Sequence, residues 1–127
     1  MSGLVGSRFW LVVGAATVVG MFSTARAADE KVLTFEADIR PIFRSHCYDC
    51  HGSTKEKKGK LDLRLARLML AGGETGPAIV AGDPNKSFLV QRLREGSMPP
   101  GDVRVSAEEL EKITRWIAQG AKTARPE

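Results

Sequence analysis

His46-Cys47-Tyr48-Asp49-Cys50-His51 decides how the rest of this chain is read, because it contains the pattern C-x-x-C-H. Two thiols at i and i+3 share one face of a helical turn, so both sulfurs can reach the two vinyl groups of a single porphyrin. An imidazole directly after the second thiol can then bring a ring nitrogen beneath the iron. The pattern therefore reads as covalent attachment of one c-type haem, with Cys47 and Cys50 as its anchors and His51 as an iron ligand.

Other uses of such a pair fit less well. A thioredoxin-like dithiol belongs beside a βαβ pattern, and none is visible here. A zinc site draws a second ligand pair from elsewhere in the chain, whereas both cysteines and both histidines of this sequence fall within six consecutive residues. A Cys47–Cys50 disulfide would close too small a loop to stabilise much. His46 is too close to Cys47 to reach the far side of an iron, and is expected to be a surface or propionate-neighbouring residue.

The first 27 residues read as a signal peptide. Arg8 supplies the positive start, Phe9 to Phe22 form an apolar run of 14 residues, and Ala25-Arg26-Ala27 matches a small-x-small cleavage site. The run is short for a membrane span, which needs roughly 20 apolar residues. An uncleaved leader would instead act as an N-terminal membrane anchor. A periplasmic or otherwise exported location agrees with the motif, since thioether-bound haem occupies thiols that an oxidising compartment would otherwise pair. Residues 28–127 form one domain with a thin core, to which a porphyrin would add apolar surface.

Charge excludes little. The full chain carries +4, but Arg8 and Arg26 leave with the leader, and 17 basic residues then face 15 acidic ones. No nucleic-acid-binding motif is present. Lys55, Lys57, Lys58 and Lys60 form a local cationic stretch, which reads either as a solvated loop or as a docking patch for an acidic redox partner.

Along the mature chain, Thr34 is expected to cap a helix whose apolar face is Ile39, Ile42 and Phe43, with Pro41 forcing a kink or a fresh start. Phe43 is expected on the porphyrin edge and Tyr48 partly covered. A short helix over about Arg64 to Ala71 ends at glycine and holds Met69 in the core. From Gly73 to Gly82 the chain reads as extended across an apolar surface, and a carbonyl near Pro77 is expected to accept the His51 ring N–H. Asp83-Pro84 reads as the start of a helix running through Phe88 to Leu93, with Arg92 and Arg94 near its end facing either the helix dipole or a propionate.

Ser97-Met98-Pro99-Pro100-Gly101 cannot be helical, so Met98 stands on a stiff loop as a candidate second iron ligand. The alternative is a loop methionine over an open iron position. Ser106-x-x-Glu109 is a capping box, and Leu110, Ile113 and Ile117 give the last helix its apolar stripe, next to Trp116. Gly120 ends that helix, and Thr123 to Glu127 are expected to fray. No run reads as a strand. The sum is an all-α chain with three to five short helices around one covalent haem.

On these residues the chain resembles a class I monohaem cytochrome c, and more particularly the small cytochrome c domain of planctomycete-type bacteria. The stretches that carry the likeness are Asp38-Ile39-Arg40-Pro41-Ile42-Phe43, Cys47-Tyr48-Asp49-Cys50-His51-Gly52, Gly72-Gly73, Gly76-Pro77-Ala78-Ile79-Val80, Gly82-Asp83-Pro84, Met98-Pro99-Pro100, and Trp116-Ile117 with Gly120-Ala121. The resemblance implies the all-helical cytochrome c fold, haem on Cys47 and Cys50, and iron between His51 and Met98. Such domains often end much larger proteins, and expectations tied to a fused partner are not carried over. The function expected is single-electron transfer rather than catalysis. Two alternatives stand beside it: the haem subunit of a larger periplasmic oxidoreductase, and a sensor or peroxidase-like protein with an open iron position. Oligomeric state is not legible.

Overall fold

Phe35, Ile39 and Phe43 recur every fourth residue and are all fully buried, which gives the N-terminal helical stretch one apolar stripe. The computed structural model describes residue 3 and residues 30–127, so the expected signal peptide lies outside the described residues. Among the described residues there are five α-helices and no strand: α1 Arg40–His46, α2 Tyr48–His51, α3 Ala66–Ala71, α4 Phe88–Arg94 and α5 Ala107–Ala118. The all-α expectation holds.

Pro41 explains how the first stretch is divided. It has no amide hydrogen to continue a ladder, so a π-helical segment at Phe35–Ile39 gives way to α1, with Pro41 in its first turn. The Thr34 hydroxyl does not cap this stretch. Asp38 does the work from inside, its carboxylate accepting from the Thr34 amide at 2.9 Å and from Lys31 at 2.6 Å.

The core lies between this stretch and α5. Phe35 stands at its centre, 6.2 Å from the Phe43 ring and 5.8 Å from Trp116, both at tilted angles that suit aromatic quadrupoles. The Lys122 carbonyl accepts from both the Phe35 amide and the Trp116 indole, each at 2.9 Å. Gln119 adds a second tie, accepting from the Leu33 amide and donating to the Lys31 carbonyl. The two ends of the described chain are thereby fastened to one layer.

Two expectations are corrected. The helix expected from Asp83 begins instead at Phe88, because Ser87 is extended and fully buried. Its hydroxyl accepts from the Val80 amide and donates to the Asp83 carbonyl, which closes residues 80–87 into a turn. The tail does not fray: Ala124 donates to Glu36 at 2.7 Å, and the Glu127 carboxylate accepts from the Ala66 and Arg67 amides at 2.8 Å each. Those are orphan donors at the start of α3, so Glu127 serves as its N-terminal cap. The capping box of α5 forms as expected, with Glu109 N–H donating to Ser106 Oγ and Ser106 N–H donating back to Glu109 Oε2.

Candidate functional site

The cysteine motif is a turn closed by main-chain bonds. Cys47 N–H closes α1 by donating to the Phe43 carbonyl at 2.8 Å, and the Cys47 carbonyl then accepts from Cys50 at 3.2 Å and His51 at 2.9 Å. This single turn puts Cys47, Cys50 and His51 on the lining of a cavity of about 440 Å³. Most of the remaining lining is apolar, including Leu61, Leu63, Leu89 and Leu93.

Both cysteines are free. Burial, with smaller contributions from Cys50 and Glu109, pushes the Cys47 thiol up to about 12. A thiol so disposed stays neutral, unlike the acidic thiol of a redox dithiol or the thiolate of a zinc site. Among the described residues no cluster of three His, Cys, Asp or Glu side chains stands ready for a metal.

His51 is held at two points. Its ring Nδ1 lies 3.2 Å from the Leu61 carbonyl, and its own carbonyl accepts from the Leu63 amide at 2.9 Å. With Nδ1–H donating to Leu61, the lone pair belongs to Nε2, the arrangement a ligating imidazole needs. The carbonyl expected near Pro77 is therefore replaced by that of Leu61. Pro77 is exposed and lies outside the cavity lining, while its neighbours Gly76 and Ala78 belong to it.

The glycines explain this displacement. Gly73 and Gly76 bond each other in both directions at 3.1 Å, making a tight loop that turns Pro77 outward. A Cβ at Gly73 would stand 2.2 Å from the Gly59 carbonyl oxygen and 3.0 Å from Leu61 N. Only a residue without a side chain allows the 59–61 backbone, and with it the Leu61 carbonyl, to lie this close.

Met98 lines the same cavity and is 39% exposed. Its loop has no regular structure, and the Met98–Pro99 peptide is cis. The Arg92 carbonyl holds its start, accepting from Ser97 at 3.1 Å and Met98 at 3.3 Å. Arg104 holds its far end: the guanidinium donates to the Pro99 carbonyl at 3.4 Å, to Val103 at 2.8 Å, and to Gly101. The sequence reading missed Arg104. A lone arginine four residues past a Pro-Pro pair, facing carbonyls that lack ladder partners, was the available signal.

Other expectations resolve as follows. Phe43 is fully buried but does not line the cavity; it packs against Phe35 as a core aromatic. Met69 is fully buried in the core. Tyr48 is half-buried, with its ring against Gly52, where a Cβ would come within 2.7 Å. His46 does line the cavity, and its Nε2 lies 3.2 Å from Glu109 Oε1. Glu109 thus joins the cap of α5 to the residue preceding Cys47. Of the lysines, Lys57 pairs with Asp62 at 3.7 Å and Lys60 with Glu74 at 3.5 Å.

The residues present fit a covalent haem. The cavity is apolar, both cysteines are free, and the His51 ring is oriented by a carbonyl with Nε2 left over. Residues 47–102 match the family model described as planctomycete cytochrome C, a span that runs from the first cysteine past Met98. No curated protein and no solved structure matches the chain.

Proposed function

From the premise that this chain carries a planctomycete-type cytochrome c domain, we propose that it is an exported carrier of single electrons. Its haem would be tied to Cys47 and Cys50, with His51 and Met98 as the residues that would hold the iron. One observation carries the reading: a single apolar cavity gathers both thiols, the carbonyl-oriented His51 ring and the Met98 thioether. When bound, haem supplies one-electron exchange at iron, and its potential is set by axial ligands, burial and nearby hydrogen bonds.

The chain's own contributions follow from the geometry. Leu61 keeps His51 in one tautomer, so that ligand need not reorganise when the charge at the site changes. Arg104 and the Arg92 carbonyl limit the travel of Met98. The leucine lining excludes water and favours the less charged state of the site. The role proposed is transfer rather than catalysis.

The partner proposed is an acidic redox protein. Lys57 and Lys60 are engaged with Asp62 and Glu74, so the cationic contact falls to Lys55 and Lys58, of which Lys58 lines the cavity. Contacts of this kind are small and salt-sensitive. Export rests on residues 1–27. Among the described residues no helix is long and apolar enough to cross a membrane.

The test is production of the full chain in cells that attach haem covalently, followed by a pyridine haemochrome assay and intact mass. The expected result is one haem per chain that survives denaturation, with no carbon monoxide binding to the reduced protein at neutral pH. An unmodified mass with no Soret band would sink the proposal. Carbon monoxide binding with haem in place would leave the carrier reading wrong at Met98.

A further inference from the structure

A porphyrin held by its vinyl groups carries two carboxylates on the edge away from the cysteines, and an apolar cavity must supply cations to meet them. Lys58 and Arg92 are the two Lys or Arg side chains that line this one. Of the acidic lining residues, Asp49 lies between the two cysteines and Glu74 is engaged with Lys60. Lys58 sits in a short 3₁₀ turn at Lys58–Lys60 and is exposed. Arg92 is different.

Its guanidinium carbon lies 4.5 Å from the centre of the Phe88 ring, one helical turn back on α4, and Phe88 also lines the cavity. An arginine stacked on an aromatic face is held in plane with its N–H groups directed outward from the ring's edge. Its charged neighbour among the described residues is Glu95 at 3.6 Å, longer than a hydrogen bond. Arg94, two residues on, donates to Asn85 and does not line the cavity. The Arg92 carbonyl, for its part, holds the start of the Met98 loop.

We propose that Arg92 is the anchor for a haem propionate, its planar fork meeting the carboxylate in a two-point charged hydrogen bond while its carbonyl positions Met98. Arg92 is thus a cofactor-binding residue that ties the far edge of the porphyrin to the loop of the second axial ligand. This rests on the haem reading above. A guanidinium beside the carboxylate lowers the negative charge around the iron and keeps the carboxylate ionised. Its loss favours the oxidised state and lets the carboxylate take up a proton nearer neutral pH.

The experiment uses full-length haem-loaded protein, with loading first checked by pyridine haemochrome so that failure of the haem reading is seen separately. Midpoint potential is measured against pH for the parent, Arg92→Gln, Arg92→Lys and, as a charge-matched control on the same helix, Arg94→Gln. Arg92→Gln is expected to shift the potential negative at neutral pH and to make it rise as pH falls. Arg94→Gln should do neither. Arg92→Lys, which keeps the charge without the fork, should fall between parent and Arg92→Gln. If Arg92→Gln and Arg94→Gln give the same curve, Arg92 is a surface cation and the proposal fails. Should Arg92→Gln not mature, Arg92→Lys decides alone, and a curve identical to the parent overturns the two-point anchor.

Discussion

The two sources of candidate iron ligands are built in opposite ways. Cys47 to His51 form one helical turn closed by main-chain bonds at both ends, and the histidine ring is fixed by a neighbouring carbonyl. Met98 stands in a loop with no regular structure, exposed by 39%, whose carbonyls are collected by one arginine side chain. The first arrangement depends on backbone geometry; the second adds a single removable side chain to the hold of the Arg92 carbonyl. Damage to the first should therefore show as lost attachment or lost stability, and damage to the second as altered ligation at nearly unchanged stability.

The largest effect follows from the thiols. Replacing both cysteines in Cys47→Ser/Cys50→Ser should abolish haem that stays with the chain through a denaturing gel, read by peroxidase staining. Retained staining would break the comparison at its root. Next comes Gly73→Ala. The added carbon meets the Gly59 carbonyl at 2.2 Å, and backbone rather than a flexible side chain must give way. Overpacking of that kind costs roughly 1–3 kcal/mol. The urea midpoint should fall accordingly, and the haem spectrum should report a disturbed His51, since Leu61 moves with the strand of chain that Gly73 abuts.

Arg104→Ala should cost less in stability. Two of its three bonds, to Gly101 and Val103, are to exposed carbonyls that water can satisfy, and the net value of a hydrogen bond is about 1 kcal/mol. Its signature lies elsewhere. The far-red band of methionine-ligated ferric haem should weaken, and carbon monoxide should gain access to the reduced form. A variant with unchanged spectrum and no carbon monoxide binding would show that the loop holds Met98 without Arg104.

This contrast also explains which parts were legible beforehand. That Cys47, Cys50 and His51 share one cavity wall could be read because it depends on spacing inside one turn. The capping box at Ser106 and Glu109 was legible for the same reason. Thr34 misled because the Asp38 amide bonds the Thr34 carbonyl rather than its hydroxyl, while the Asp38 carboxylate takes the Thr34 amide. The Pro77 expectation failed because the partner of His51 was chosen from a proline-bearing stretch. The approach that decides it is backbone to backbone, Gly73 against Gly59, between residues far apart in the chain. Glu127 was unreadable in the same way, since its role as a cap lies 61 positions from Ala66. Local chemistry was visible; contacts between distant carbonyls, amides and side chains were not.

The smallest effect sharpens the comparison from the cysteine side, through Glu109. One of its oxygens accepts from the Ser106 amide and the other lies against His46, so it links α5 to the residue before the cysteine turn. Its carboxyl is held below the usual range, chiefly because the Ser106 amide donates to it, with the His46 ring adding to that against the opposing push of burial. A carboxylate with a lowered folded-state pKa contributes stability that is present above its unfolded value, about 4.3, and is lost as pH falls through the folded value. Glu109→Gln keeps the shape but not the charge. The parent should therefore exceed it in urea midpoint at pH 6, by an amount limited by solvent screening at this partly exposed site. The gap should narrow steadily below about pH 4, where the parent's own carboxyl takes up its proton. A gap that stays constant down to pH 3 would mean that Glu109 holds the turn through shape and not through charge.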